Sequence, residues 1–225
     1  MTLAAEPGTR VDEIYREVRA ELLSAHYEPG QWVKVAELQR RYGSSLSVIR
    51  EALSRLVAEG LLVAIAQRGF RVVRLSVEDL RDLTEARIKI ETLVLREALA
   101  KGDNAWEAAL IGAHHLLERT PMMSTLPSGE RTLSPDYVRA HADFHETLLA
   151  GCPNSHLLQI ANSLRDSAEL YRMWSPKTRT SGREIAEEHR RLTELALGRE
   201  VEECVELLTR HIDHTRQALD ETPAS

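Results

Sequence analysis

The stretch Arg40-Arg41-Tyr42-Gly43-Ser44-Ser45-Leu46-Ser47-Val48-Ile49-Arg50-Glu51-Ala52-Leu53 is followed by Glu59-Gly60-Leu61-Leu62 and then by Gln67-Arg68-Gly69-Phe70. Gly43 permits the positive φ of a tight turn after a short helix, and Ser45 can cap the next helix by accepting a hydrogen bond from its exposed amides. In that second helix Ile49, Leu53 and Leu56 fall at i, i+4 and i+7, and Ala52 and Val57 widen the stripe into a face that must meet a small core. Ser45, Ser47 and Arg50 are left pointing outward. Leu62-Val63-Ala64-Ile65 and Phe70-Arg71-Val72-Val73 form two short strand patterns around a Gln67-Arg68-Gly69 turn. Helix, turn, helix and hairpin together make a winged helix-turn-helix. Its second helix suits the major groove, where hydroxyls and a guanidinium reach base edges or phosphates, and Arg68 tips its wing.

Upstream, Val11, Ile14, Tyr15, Val18, Leu22 and Leu23 recur at helical spacing and stop before the turn signal Glu28-Pro29-Gly30. Gln31-Trp32-Val33 offers a short strand to the wing sheet. Val35 to Arg41 is the first helix of the motif, with Leu38 inward and Arg40 and Arg41 facing the DNA backbone, contacts that position a protein more than they specify sequence. The net charge is −6, yet Lys34 to Arg74 carry eight Lys or Arg against three Glu. Such a cluster taken alone can be an ordinary solvated face; joined to the motif, it supplies a local surface attractive to phosphates.

Downstream, Ser76 precedes Val77-Glu78-Asp79-Leu80, an N-cap with acids in the first turn, and a helical pattern runs through Leu83, Ile88, Leu95 and Leu99 to Gly102. Further helices are expected over 104–119, 134–150, 155–175, 179–197 and 201–220, with no strand candidate among them. The separators are Pro121 to Ser128, the Gly151-Cys152-Pro153-Asn154 turn, the Ser175-Pro176 break and Gly198. The fold class is therefore mostly α. Residues 1–75 form a winged helix-turn-helix and residues 76–225 an all-α antiparallel bundle whose interior can hold a small molecule or a metal.

The chain has 225 residues, 43% of them hydrophobic, enough for two modest cores. No stretch approaches the roughly 20 apolar residues that span a bilayer, and Met1 to Arg10 lacks the marks of a signal peptide, so no membrane association and a cytoplasmic location are expected. Cys152 and Cys204 have no CxxC spacing and are expected to be packing residues in a reducing compartment.

The first half resembles the winged helix of the GntR family of bacterial repressors through Gly43, Ser45, Arg50-Glu51-Ala52-Leu53 and Glu59-Gly60-Leu61. The second half resembles the FCD effector domain of the FadR-like branch, through Leu75-Ser76-Val77-Glu78-Asp79-Leu80-Arg81-Asp82-Leu83-Thr84-Glu85-Ala86-Arg87, the Phe144-His145 pair and Glu188-His189. Two signatures in the family's order cover nearly the whole chain. The resemblance implies a homodimeric repressor that reads a palindromic operator and responds to a small organic acid. Among DNA contacts it favours Arg50, then Ser45, Ser47 and Arg68. Where many members carry arginine this chain has Leu46, and arginine is also usual at the position of Ala36. Leu46 can instead meet a thymine methyl.

His141 and His145 are i, i+4, so their rings share one helix face about 6 Å apart at Cβ. That spacing can chelate one cation or belong to two ordinary packed histidines. His189 and His211 lie mid-helix with apolar neighbours Leu192, Leu195, Leu208 and Ile212. The resemblance implies a divalent metal held by an aspartate and a histidine four residues apart, plus two later histidines that match His189 and His211; the aspartate position is His141 here. An all-imidazole set favours zinc, nickel or another borderline transition metal over magnesium. His214 is an alternative fourth ligand. His26, His114, His115 and His156 are assigned to surface or packing roles.

The resemblance also places Arg87 at the effector pocket, where a guanidinium can grip a carboxylate with two prongs; the residue is equally placed to pair with Glu91 at i+4 in solvent. Tyr171 and Arg172 are further effector candidates. A metal-dependent hydrolase or lyase fused to a DNA-binding module is the alternative function, since a histidine-bound metal can activate water. Neither HExxH nor GxSxG nor a phosphate loop supports it.

Overall fold

A computed structural model of the chain describes residues 9–23, 26–74, 76–125, 131–174 and 182–220. Its contacts separate into two compact units, Met1–Leu75 and Ser76–Ser225.

In the first unit, α1 (Arg10–Leu23) packs on α3 (Leu46–Ala58). The buried faces are Ile14, Val18 and Leu22 on one helix and Ile49, Ala52, Leu53 and Leu56 on the other. Each large aliphatic side chain taken out of water there is worth about 1.5–3 kcal/mol. Between them come β1 (Trp32–Val33) and α2 (Val35–Tyr42), which stops where Gly43 adopts φ 59° and donates its N–H to the Gln39 carbonyl. Ser45 then caps α3, its Oγ accepting from the Val48 amide at 3.5 Å. The wing is β2 (Leu62–Ile65) and β3 (Gly69–Val72), with β1 on the far edge in the antiparallel order β1-β3-β2. Leu62 pairs with Val72 and Ile65 with Gly69, which turns Leu62, Phe70 and Val72 inward. β3 begins one residue earlier than its apolar run suggested, because Gly69 closes the ladder.

The second unit consists of α4 (Val77–Lys101), α5 (Asn104–Arg119), α6 (Pro135–Leu149), α7 (Ser155–Trp174), α8 (Gly182–Leu197) and α9 (Val201–Asp220). The Ser76 hydroxyl caps α4 by accepting from the Asp79 amide at 3.0 Å. α4 packs against α9, α7 and α6, α5 packs against α6 and α8, and α8 lies on α9. One sequence expectation fails here. Met123–Thr125 and Arg131–Leu133 are strands, β4 and β5, paired antiparallel with Met123 opposite Leu133. Three-residue strands that satisfy only each other carry no apolar alternation long enough to read, and they fall where a separator was expected. The Ser175-Pro176 break and part of the expected helix over 179–197 lie outside the described residues.

Trp106 locks one end of this bundle. Its indole N–H donates to the Thr147 carbonyl at 2.8 Å, and the Arg199 guanidinium lies 4.8 Å from its ring while donating to the Leu99 and Gly102 carbonyls at 2.9 Å. Among the described residues no helix is long and apolar enough to cross a membrane.

Candidate functional site

The inner face of α6 runs through Tyr137, His141, Phe144, His145 and Leu148, an apolar stripe in which two positions carry imidazoles. Helix periodicity places His189 beside Leu192 and Ala196 on the buried face of α8, and His211 beside Leu208 and Ile212 on α9. The three helices bring these rings together. One nitrogen from each of His141, His145, His189 and His211 lies within 4.8 Å of the others, and ring centroids are 4.6–6.2 Å apart. His141, His145 and His189 are 8%, 2% and 1% exposed. Phe144 closes the cluster from one side, 5.1 Å from His145 and 5.0 Å from His189.

Burial pulls His141, His145 and His189 well below the ordinary imidazole pKa. Nearby positive charge adds to this, from Arg172 on His141 and His189 and from Arg165 and Arg87 on His145. Those three rings are neutral, with a lone pair each. His189 Nε2 is buried without a hydrogen-bond partner, an arrangement that costs free energy unless something accepts that nitrogen's electrons or donates to it. On the outer side of the cluster Glu188 Oε2 lies 2.8 Å from His211 Nδ1. Burial raises the proton affinity of Glu188, but its bonds to His211 and His214 outweigh that and hold it below the usual carboxylate range. An ionised carboxylate there engages His211 Nδ1 and turns the ring so that Nε2 faces inward, 3.1 Å from His145 Nε2. Four imidazoles at this spacing can hold a metal ion.

His214, the alternative ligand, stands apart: it is half exposed and its Nδ1 pairs with Glu188 Oε1 at 3.2 Å. Arg87 does pair with Glu91, at 2.6 Å, but the pair is buried rather than solvent-facing. Arg172 is half-buried, with its Nε 2.8 Å from Glu169 and its guanidinium 6.0 Å from the Tyr137 ring. The Tyr171 hydroxyl donates to Asp79 Oδ2 at 2.5 Å and accepts from the Ser76 amide at 3.3 Å, tying α7 to the first turn of α4.

Sequence reasoning missed Arg165 beside the cluster, and it named Glu188 and Glu91 without the roles that the structure gives them. Glu188 orients His211 from 23 positions away, a spacing with no local pattern. Arg165 and Glu91 are charged residues on buried helix faces; Arg165 shares its stripe with Ala161 and Ala168, and that was the available signal.

In the first unit, Ser45, Leu46, Ser47, Arg50 and Arg68 are all exposed. The Ser45 and Ser47 hydroxyls lie 2.9 Å apart, Leu46 projects uncovered, and the Arg50 guanidinium stands 5.8 Å from the Phe70 ring. Arg40 is exposed. Arg41 is only half free of the protein, because it pairs with Glu21 and lies 3.7 Å from Glu17 on α1.

A winged helix with an exposed recognition helix, followed by an all-helical unit that encloses an imidazole cluster, is the architecture of a DNA-binding transcriptional regulator. The model for gntR-family bacterial regulatory proteins matches residues 10–72 and the FCD domain model matches residues 82–214; this chain belongs to the GntR family, with an FCD domain. It is 33% identical over 206 residues to the uncharacterized HTH-type transcriptional regulator BphR of Paraburkholderia xenovorans, covering 90% of this chain and 82% of that protein. It is 31% identical over 202 residues to the HTH-type transcriptional repressor GlaR of Escherichia coli, covering 88% and 90%. The solved structure of E. coli McbR/YncC superposes with a TM-score of 0.79 at 16% identity over 96% of this chain and 99% of that one, a likeness of fold. These relatives are regulators, not enzymes, and the protein is a DNA-binding transcriptional regulator.

Proposed function

We propose that the protein is a metal-dependent repressor: residues 1–75 bind an operator, and residues 76–225 dimerise and sense a small carboxylate. The observation that carries this reading is the convergence of four imidazole nitrogens within 4.8 Å inside the unit that matches the FCD domain. His141, His145, His189 and His211 hold one divalent ion. Their all-nitrogen donor set selects zinc, or nickel or another transition metal, over magnesium. Bound there, the ion supplies a positive centre that attracts an acid.

The chain's own residues do the rest. Glu188 orients His211, Phe144 keeps bulk water off one side, and Arg87, Tyr171 and Arg172 surround the effector. In the first unit Arg50, Ser45, Ser47 and Leu46 face base edges, while Arg40, Arg41 and Arg68 meet phosphates or the adjoining groove. A homodimer presents two such helices to the half-sites of a palindrome. The acid acts only by binding one arrangement of the dimer better than the other; equal affinity for both would leave DNA binding unchanged.

The test is fluorescence anisotropy with an operator duplex selected from random sequence, using zinc-loaded protein and a panel of hydroxy, keto and dicarboxylic acids. The expected result is at least one acid that weakens DNA binding about tenfold or more, an effect abolished by chelation. A panel without effect on zinc-loaded protein, or protein that retains no metal after gel filtration, defeats the proposal.

A further inference from the structure

Arg10, the first residue of α1, is exposed, yet its guanidinium is spent inside the winged unit. Its Nη2 donates to the Tyr42 carbonyl, its Nε donates to Ser44 Oγ at 3.3 Å, and its Nη1 lies 2.5 Å from Glu13 Oε2. The group also stands 5.6 Å from the centre of the Tyr42 ring. Tyr42 and Ser44 flank Gly43 in the turn that joins α2 to α3. Tyr42 ends α2, so no amide of that helix answers its carbonyl. Ser44 Oγ donates to the same oxygen at 3.2 Å, which closes a ring of Arg10, Ser44 and the Tyr42 carbonyl around the turn. The tyrosine is held at its other end as well, because its hydroxyl donates to Glu17 Oε2 on α1 at 3.0 Å.

That turn is where α3 starts. Ser45 caps the helix, with its Oγ 2.9 Å from Ser47 Oγ, and Leu46 is the first helical residue. About 15 Å further along α3, Arg55 Nη1 lies 2.6 Å from Asp12 Oδ1, so one turn of α1 holds that helix at both ends. We infer that Arg10 is a positioning residue for sequence reading: it fixes the turn from which α3 departs, and thereby where Ser45, Leu46 and Ser47 stand against base edges, without itself touching DNA. This inference rests on the reading of α3 as the helix that meets the bases and is independent of the metal centre. Glu13 offsets the charge of Arg10, and Nε, Nη1 and Nη2 are each engaged, which leaves a phosphate little to bind. Hydrogen bonds to base edges weaken steeply with misalignment, whereas attraction to the phosphates survives a small shift. A loosened turn therefore costs discrimination between sequences more than it costs affinity for DNA in general.

The experiment measures binding of the full-length protein to a selected operator and to a random duplex, by fluorescence anisotropy at several salt concentrations. In Arg10→Gln the expected result is operator affinity lowered about five- to twentyfold, random-duplex affinity lowered less than about twofold, and a salt slope within about 0.5 of wild type. Ser44→Ala removes the other arm of the ring without changing the charge and lowers the same ratio, and the double variant loses less than the product of the two single losses. Arg10→Lys keeps the charge and a donor and recovers part of the ratio. Thermal unfolding of each variant accompanies the titrations; if Arg10→Gln unfolds the winged unit, Ser44→Ala and Arg10→Lys carry the test. Two duplexes weakened alike, with the salt slope reduced by about 0.9, would make Arg10 a phosphate contact and overturn the inference. An unchanged ratio in Arg10→Gln, or in Ser44→Ala, overturns it too, as do single losses that multiply in full. Wild-type protein that binds both duplexes equally overturns the reading of α3, and this inference with it.

Discussion

The Nε2 atoms of His211 and His145 face one another at 3.1 Å, a separation set by two helices, α9 and α6, that approach from different parts of the chain. Ligand bonds of about 2.0–2.1 Å to one tetrahedral ion put neighbouring nitrogens about 3.3 Å apart. With Glu188 engaging His211 Nδ1, the ring turns its Nε2 towards His145, and the two nitrogens stand close enough to bind one cation between them. His145→Ala is therefore expected to abolish stoichiometric zinc retention, read by elemental analysis after gel filtration. Glu188→Gln keeps the ligand but removes the charge that orients it, and zinc affinity should fall about 10–100-fold. Retention of one zinc per chain in His145→Ala would count against the site.

Acid should weaken the metal-free protein in a specific window. The unfolded chain protonates His141, His145 and His189 near pH 6.5, while burial keeps the folded rings neutral to much lower pH. The folded state thus binds fewer protons, and stability is complete above pH 6.5 and declines as pH falls below it. Each imidazole contributes a slope of up to about 1.4 kcal/mol per pH unit. Chelated protein should lose Tm on going from about pH 7.5 to about pH 5.5, and His141→Gln should flatten that loss by about a third of the part owed to these three rings. An unchanged slope in the variant would show that His141 is not buried as a neutral ring.

Gly102 and Gly151 are required by packing, not by backbone conformation. A Cβ at Gly102 would lie 2.3 Å from Trp106 Cε3 and 2.8 Å from the Ala98 carbonyl, and one at Gly151 would lie 2.8 Å from that same oxygen. The indole cannot retreat easily, since its N–H is bonded to Thr147 and Arg199 covers its face. Gly102→Ala should therefore cost about 1–3 kcal/mol or more in denaturant unfolding, although the backbone there, at φ −59° and ψ 138°, is one that alanine adopts freely. A neutral result would mean that the Trp106 corner is loosely packed.

Much of this molecule was legible because its signals are local. The Ser45 and Ser76 caps, the Gly43 turn and the apolar stripe Ile49-Leu53-Leu56 each depend on residues within a few positions of one another, and the structure repeats them closely. The imidazole cluster was legible only in part: His141 and His145 share a turn, but His189 and His211 join them through tertiary packing, and spacing alone left His214 as a rival. What periodicity could not supply was the far side of each contact. Glu188 behind His211 and Arg165 beside Glu91 are relations between distant segments, while the β4–β5 pair is local but too short to show an alternation.

Arg50 gives the sharpest test of the DNA-binding face. It is exposed on α3, no salt bridge among the described residues holds it against the protein, and its guanidinium stands 5.8 Å from the Phe70 ring, which leaves it open to solvent. An exposed pre-positioned guanidinium on this helix should read a base edge, for which a good two-pronged contact is worth about 1–3 kcal/mol. Arg41, already engaged by Glu21 and Glu17, has less of its charge to offer a phosphate. Arg50→Ala is thus expected to reduce operator affinity about 10–100-fold and to narrow the gap between operator and random duplex, whereas Arg41→Ala should weaken both duplexes by a similar, smaller factor and reduce the salt slope by less than about one. Anisotropy titrations at several salt concentrations separate the two. If Arg50→Ala left the ratio of operator to random binding intact, Arg50 would be a phosphate contact, and sequence reading would pass to Leu46, Ser45 and Ser47.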